Sequence, residues 1–324
     1  MRKLRVAAIQ LRCEPLRTLE NLTHAEAFIE KAASDGAQLV LLPELMPGGY
    51  ILTEDIWKTA ERFDGPSVTW LRRTASRHAI HLGMSFAEAD GHDFFNTFVL
   101  ATPQGNVAGR VRKSPPASVE AYFFRAGTDP HYIDTELGRI GVGICYENLL
   151  YERILALHQV SADLVIQPTA AGTPMPAFPI RRKDSAAFDC MLRGSTAFYA
   201  RTLGVPVLMA NRCGPLVTSL PGGLPAQKTR FPGLSAIAGS DGTLMAQLDA
   251  DEGVICAEII LDPARKARQP PKSYGRWALP VPWYAFLWPL TQKLGERAYA
   301  RHPLRPGLAQ TASATATAGL NAAS

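Results

Sequence analysis

Apolar positions along the first 260 or so residues follow two periods, and the two take turns. Residues 4–11 and 39–42 are short, nearly continuous apolar runs of strand length. Between them, Leu19, Leu22, Ala25, Phe28, Ile29 and Ala32 recur at helical spacing over 18–34, with Gly36 as a stop. The same pattern predicts helices over 67–78, 149–160 and 184–203, the last ended by Gly204. Strands are predicted over 80–86, 164–167 and 205–210, and strand pairs over 96–101 with 106–111 and 131–134 with 139–144. Residues 234–239, 244–248 and 254–261 close the pattern as strands around the turn Ser240-Asp241-Gly242. Helices alternating with strands, with strand pairs added, predict an α/β chain of two stacked sheets with helices outside.

Asp262-Pro263 ends that pattern, which makes 1–263 one domain. The next stretch, 264–300, is rich in proline and carries Trp277, Trp283 and Trp288, three of the five tryptophans. Its prolines forbid one continuous helix, although a short helix over 290–300 fits. It is too short for a core of its own and too aromatic to be left in water, so it is expected to be an ordered arm packed on a partner subunit. Membrane contact through 270–290 is the rival, because tryptophan with basic residues is an interfacial composition. Residues 301–324 are expected to be a disordered tail, uncharged and rich in Ala, Thr and Ser from Ala309 onward.

Charge divides the same way. The net charge is +5, but residues 264–324 hold nine Lys/Arg and one acidic residue, leaving 25 basic and 28 acidic in 1–263. The main domain is therefore close to neutral, which argues against a nucleic-acid surface there. Five cysteines without C-x-x-C spacing argue against a disulfide framework and for a reducing, cytoplasmic compartment. The N-terminal strand pattern is too short in its apolar run for a signal peptide, and no run reaches the roughly 18–20 residues of a membrane helix. The scattered histidines give no ligand spacing, so no metal is expected.

Three stretches carry chemistry. Gly141-Val142-Gly143-Ile144-Cys145-Tyr146 reads as strand, sharp turn, then helix, with a thiol at the turn. A thiol there is held by the strand, and the helix N-terminus can favour its thiolate; the alternative is a buried packing cysteine, as Cys190 and Cys213 are read to be. Leu39-Val40-Leu41-Leu42-Pro43-Glu44 runs a buried strand into a carboxylate, which is costly unless the group is used or paired. Val107 to Lys113 ends a strand on a lysine, and Glu120 follows seven residues later. Arg181-Arg182-Lys183 fits either a solvated helix entrance or a site for a substrate carboxylate.

In identity and order, Glu44, Lys113 and Cys145 match the Glu-Lys-Cys pattern of the nitrilase superfamily of carbon–nitrogen hydrolases, which the chain resembles from about residue 4 to 262. Glu120-Ala-Tyr-Phe-Phe-Arg-Ala-Gly127, Asn211-Arg212 and Gly253-Val-Ile-Cys-Ala-Glu258 match further family segments. The chain departs from the family at Ser114-Pro115, where His-Leu is common, and at Glu147, where Asp is common. The resemblance implies an α-β-β-α sandwich and association into homodimers through helices near the nucleophile. It implies a Cys145 nucleophile, Glu44 as base, Lys113 with the Tyr146 backbone N–H as oxyanion donors, and Glu120 as a helper carboxylate. Glu147 and Thr169 fall beside them as candidate substrate contacts. Hydrolysis of a small amide-like substrate through a thioester follows, with no cofactor. Tyr146, where true nitrilases usually carry Trp, and Pro168-Thr169-Ala170-x-Gly172 point to amides or N-carbamoyl amides. Nitrile hydrolysis, acyl transfer and a non-catalytic interaction module are the alternatives.

Overall fold

Alternate residues of a strand point to opposite faces, and in this chain both faces of the central strands are apolar. The computed structural model describes the chain apart from residues 175, 177, 178, 222–225, 274 and 315–324. In chain order its elements are β1 (Arg2–Gln10), α1 (Thr18–Ser34), β2 (Leu39–Leu41), α2 (Pro66–His78), β3 (His81–Asp90), β4 (Asp93–Ala101), β5 (Val107–Arg112), β6 (Tyr132–Thr135), β7 (Gly138–Val142), α3 (Tyr151–Gln159), β8 (Leu164–Pro168), β9 (Thr173–Pro174), α4 (Arg182–Leu203), β10 (Val207–Ala210), β11 (Cys213–Thr218), β12 (Gln227–Pro232), β13 (Ala236–Ala238), β14 (Leu244–Gln247), β15 (Gly253–Leu261), α5 (Trp288–Arg301) and α6 (Arg305–Ala314). One six-stranded sheet has the order β15-β1-β2-β3-β4-β5 and a second the order β14-β13-β10-β8-β7-β6.

The side-chain alternation of β1 shows how the layers form. Val6 and Ala8 face the second sheet and pack with Ile140, Val142, Leu164, Ile166 and Leu208. Ala7 and Ile9 face outward onto Leu22, Ala25 and Ile29 of α1 and Leu71 of α2. On the second sheet, Val165 and Val207 face outward onto Ile154 and Leu157 of α3 and Tyr199 and Leu203 of α4. The result is the expected four-layer α-β-β-α sandwich. Glycine is required where α4 ends: Gly204 has φ +69°, and a Cβ there would sit 2.0 Å from the Arg265 carbonyl oxygen.

The sequence pattern misses a small third sheet, β11-β12-β9. Its ribbon is broken by Gly214 and Pro215, which hide the strand alternation. The helix predicted over 149–160 is α3, which begins at Tyr151, and a 3-10 turn over Cys145–Leu149 precedes it.

The inner face of the C-terminal arm lies on its own chain. It pairs through Leu150 and Trp277, and the Phe94 N–H donates to the Tyr299 hydroxyl at 2.8 Å. Gly295 of α5 approaches the 3-10 turn Ser118–Tyr122 so closely that a Cβ would meet Tyr122 at 2.7 Å. The tail reading is corrected for residues 305–314, which form α6. Alanine is the best helix former, and the buried Ala309 gives this short helix a foothold in the cluster that holds Trp57 and Phe94. The rest of that tail reading, 315–324, lies outside the described residues. Among the described residues, no helix is long and apolar enough to cross a membrane.

Candidate active site

The ends of three strands from the two sheets meet at one point. Just beyond β7, Cys145 takes φ +51°, the left-handed region that a side chain enters at a cost of about 1–3 kcal/mol. The neighbouring residues hold that elbow. Asn148 Nδ2 donates to the Gly143 carbonyl at 2.8 Å, and the Ile144 N–H donates to Glu147 Oε2 at 2.6 Å. Cys145 is half-buried and reaches the wall of a cavity.

Beyond β2, Glu44 is fully buried, and Lys113, following β5, is 1% exposed. Lys113 Nζ lies 2.6 Å from Glu44 Oε1 and 2.6 Å from Glu120 Oε2. Asn96 of β4 binds the same two carboxylates with its Nδ2, at 2.7 Å to Glu44 and 2.8 Å to Glu120. The Asn96 amide oxygen accepts from Ser85 Oγ at 2.8 Å, which fixes its orientation. Glu44 Oε2 has no hydrogen-bond partner among the described residues, and the Cys145 thiol lies against this carboxylate. Sequence reasoning missed Asn96 as a site residue. The available signal was an amide inside a largely apolar strand, Phe94 to Leu100.

Electrostatics follow from burial and from this pairing. Burial pushes the Glu44 carboxyl above its ordinary 4.5, with Lys113 opposing. It likewise pushes the Cys145 thiol well above 9.0, helped by the Glu44 charge. Burial works against the Lys113 ammonium, but Glu120 and Glu44 outweigh it and hold the group well above 10.5. Burial thus opposes ionisation of the thiol, which sits beside a lysine shared by two acidic side chains.

The structure places the other candidates differently. Tyr146 and Thr169 both line the cavity, and the Thr169 hydroxyl donates to the Gln167 carbonyl at 2.9 Å. Glu147 does not line it, which corrects the reading of that residue as a substrate contact. Its side chain turns to the far side of the elbow, where it accepts from the Ser114 N–H at 2.6 Å and pairs with His131 Nε2 at 2.8 Å and Arg153 Nη2 at 3.3 Å. Burial opposes its charge, but His131 and Arg153 prevail and hold it below 4.5. Asn211 is a brace for the loop after β8, accepting from the Ala171 N–H at 3.0 Å. Arg181, Arg182 and Lys183 are exposed and lie outside the cavity wall. Cys213 is buried as expected, but Cys190 is exposed and does not pack. Among the described residues, no group of three or more His, Cys, Asp or Glu is placed to hold a metal ion.

The cavity next to Cys145 measures about 280 Å³. Beyond Glu120 and Cys145 its wall comes from α4, from the β11-β12 ribbon through Leu216 and Thr229, and from the arm. Tyr50, in the loop after Glu44, closes one side.

The carbon-nitrogen hydrolase family pattern matches residues 5–269. Among curated relatives, an N-carbamoylputrescine amidase of Arabidopsis thaliana is 28% identical over 279 residues, 83% of this chain and 90% of that protein. Nitrilase 3 of the same plant is 34% identical over 188 residues, 52% of this chain and 54% of its own length. Among solved structures, a carbon-nitrogen hydrolase from Helicobacter pylori G27 superposes with a TM-score of 0.71 at 22% identity, covering 80% of this chain and 90% of that one. A mutant of the amidase from Nesterenkonia sp. AN1, showing Michael addition of acrylamide at the active-site cysteine, has a TM-score of 0.66 at 24% identity and covers 82% and 96%. At these identities the two structures speak for the fold.

Proposed function

The chain belongs to the carbon-nitrogen hydrolase family, and from that premise we propose that it hydrolyses an amide or N-carbamoyl amide through a thioester on Cys145. The quartet of Cys145 with the buried Glu44, Lys113 and Glu120 carries this reading, since a buried pair of carboxylates on one lysine is expensive unless it is used. Glu44 takes the thiol proton through its unpartnered oxygen while sulfur bonds to the carbonyl carbon. The resulting oxyanion is held by Lys113 Nζ and the Tyr146 backbone N–H. Glu44 returns the proton to the departing nitrogen, and the C–N bond breaks to leave a thioester. Water then gives a proton to Glu44 and attacks the thioester carbon. The C–S bond then breaks, Glu44 returns that proton to sulfur, and the acid leaves. Glu120 positions Lys113 and accepts from the Ala117 N–H at 3.2 Å.

Amides are favoured over nitriles by Tyr146 after the nucleophile and by the long match to an amidase, while the nitrilase match covers about half of each chain. Substrate pairs that differ only in –CN against –CONH₂ or –NHCONH₂ test this, with ammonia release as the readout. The amide or urea is expected to have the higher kcat/KM in each pair. A nitrile ahead across several pairs would make the protein a nitrilase on the same residues.

We also propose that a second copy covers the outer face of the arm. Trp283, Phe286, Leu287, Leu290 and Leu294 form an exposed apolar stripe along the 3-10 turn and α5, at 47–72% exposure. The arm joins the segment just after the elbow through the bridge between Leu150 and Trp277. Changing Phe286 and Leu290 together to serine is expected to halve the mass seen by light scattering. An unchanged mass, with wild-type protein floating on anionic vesicles in low salt, would assign the stripe to a membrane instead.

A further inference from the structure

The cavity runs on past Cys145 between the outer face of the second sheet and α4, and the arm roofs it. Phe188, Met191 and Leu192 of α4 form one wall, and Leu279, Tyr284 and Trp288 of the arm form the other. Trp288 is anchored edge-on to Tyr146 at 5.9 Å and to Trp277 at 6.0 Å, so the arm is tied to the residue next to the nucleophile. Gln167 lies in the floor, 1% exposed, and its Nε2 has no partner among the described residues.

Formal charge is confined to one end of this space. Among the described lining residues, Glu120 supplies the only carboxyl group and none supplies a basic group, and Glu120 shares Lys113 with Glu44. The far end offers apolar groups and the neutral amide of Gln167. A substrate tail bearing an ammonium or carboxylate would lose its water there and find no countercharge, which is strongly unfavourable. An apolar tail gains about fourfold in binding for each methylene buried. Counting each heavy atom at roughly the 30 Å³ that a water molecule takes in the liquid, 280 Å³ holds about nine such atoms, a carboxamide with a tail of about six carbons.

We propose that the substrate carries an uncharged, apolar tail of about this length, and that Leu279 and Trp288 of the C-terminal arm select it. This rests on the hydrolase reading above and names its substrate class. The neutral amide of Gln167 can meet one uncharged acceptor in the tail, such as an ether oxygen.

The test uses straight-chain amides from acetamide to octanamide, the matching alkylureas, and the ω-amino and ω-carboxy forms of the hexanoyl and pentyl members. kcat/KM is expected to rise about fourfold per methylene, level off near six tail carbons, and drop at least about 100-fold when the tail end is charged. Trp288→Ala should lower the hexanamide-to-acetamide ratio of kcat/KM about tenfold. Leu279→Ala serves if that variant fails to fold. A flat length series, or a charged tail preferred, would overturn the proposal while leaving the hydrolase reading in place. If no amide or urea is turned over, the hydrolase reading fails by itself. Tryptophan fluorescence of the Cys145→Ala protein with hexanamide and acetamide then decides the tail. Tighter binding of hexanamide supports it, and equal or absent binding overturns it.

Discussion

Cys145→Ala is expected to abolish turnover, by about 10⁴-fold or more, and to leave the fold intact. The thiol is half-buried at an elbow that others hold, Asn148 through the Gly143 carbonyl and Glu147 through the Ile144 N–H. Its loss leaves a small void, worth about 1 kcal/mol and about 2–4 °C in Tm. Intact-mass analysis of wild-type protein with a slow amide should show an acyl adduct that Cys145→Ala lacks. An adduct on another cysteine, or a tenth of the activity retained by the variant, would remove Cys145 from the role. The pH profile gives a second check. Glu44 must be unprotonated to take the thiol proton, and burial raises its pKa, so the acid limb of kcat/KM should lie above 4.5. Lys113 is held well above 10.5, so it should contribute no basic limb below that pH. Glu44→Gln, which keeps the shape but not the basicity, should be nearly as inactive as Cys145→Ala.

How much of this was legible in the sequence depends on what each residue's neighbours reveal. The helix over 18–34 was read with the bounds that it has in the structure, because its apolar stripe and Gly36 are local signals. Glu44, Lys113 and Cys145 each stand where a strand stops, but they were legible as a set, with Glu120, through the resemblance to the nitrilase superfamily. Glu147 was misplaced because adjacency to Cys145 suggests the cavity, whereas one 3-10 turn sends its side chain to the Ser114 and Ile144 amides. Asn96 acts across the sheet on two carboxylates distant in sequence, and the amide inside its strand marks a buried polar group without naming those partners. The wall of α4 shows another limit. Phe188, Met191 and Leu192 recur as core residues do, and apolar periodicity is the same whether the stripe meets a neighbouring helix or an empty cavity.

Lys113→Met should be the variant that most clearly separates the chemistry of the quartet from its architecture. Methionine nearly fills the lysine's volume, so packing changes little, but Glu44 and Glu120 are left buried on the Asn96 amide with no cation. Breaking a buried pair in this way costs about 3–5 kcal/mol, a large share of the roughly 5–15 kcal/mol that holds a domain together. Activity should fall by about 10³–10⁴-fold, because one oxyanion donor is lost and Glu44 is driven toward its protonated, non-basic form. The stability loss has a signature in pH. Glu44 already titrates above 4.5 with Lys113 present, and without the cation its native pKa rises further. Above 4.5, the native variant then binds more protons than the unfolded chain, so its stability falls as pH rises through that window. The Tm deficit against wild type should therefore be small near pH 5 and largest near pH 8. Adding Glu120→Gln removes one of the two stranded charges, and it should recover part of the stability at pH 8 with no recovery of activity. A Tm deficit that is the same at both pH values would show that Lys113 is not bearing the charge of the two carboxylates. Activity within tenfold of wild type would remove it from the oxyanion role.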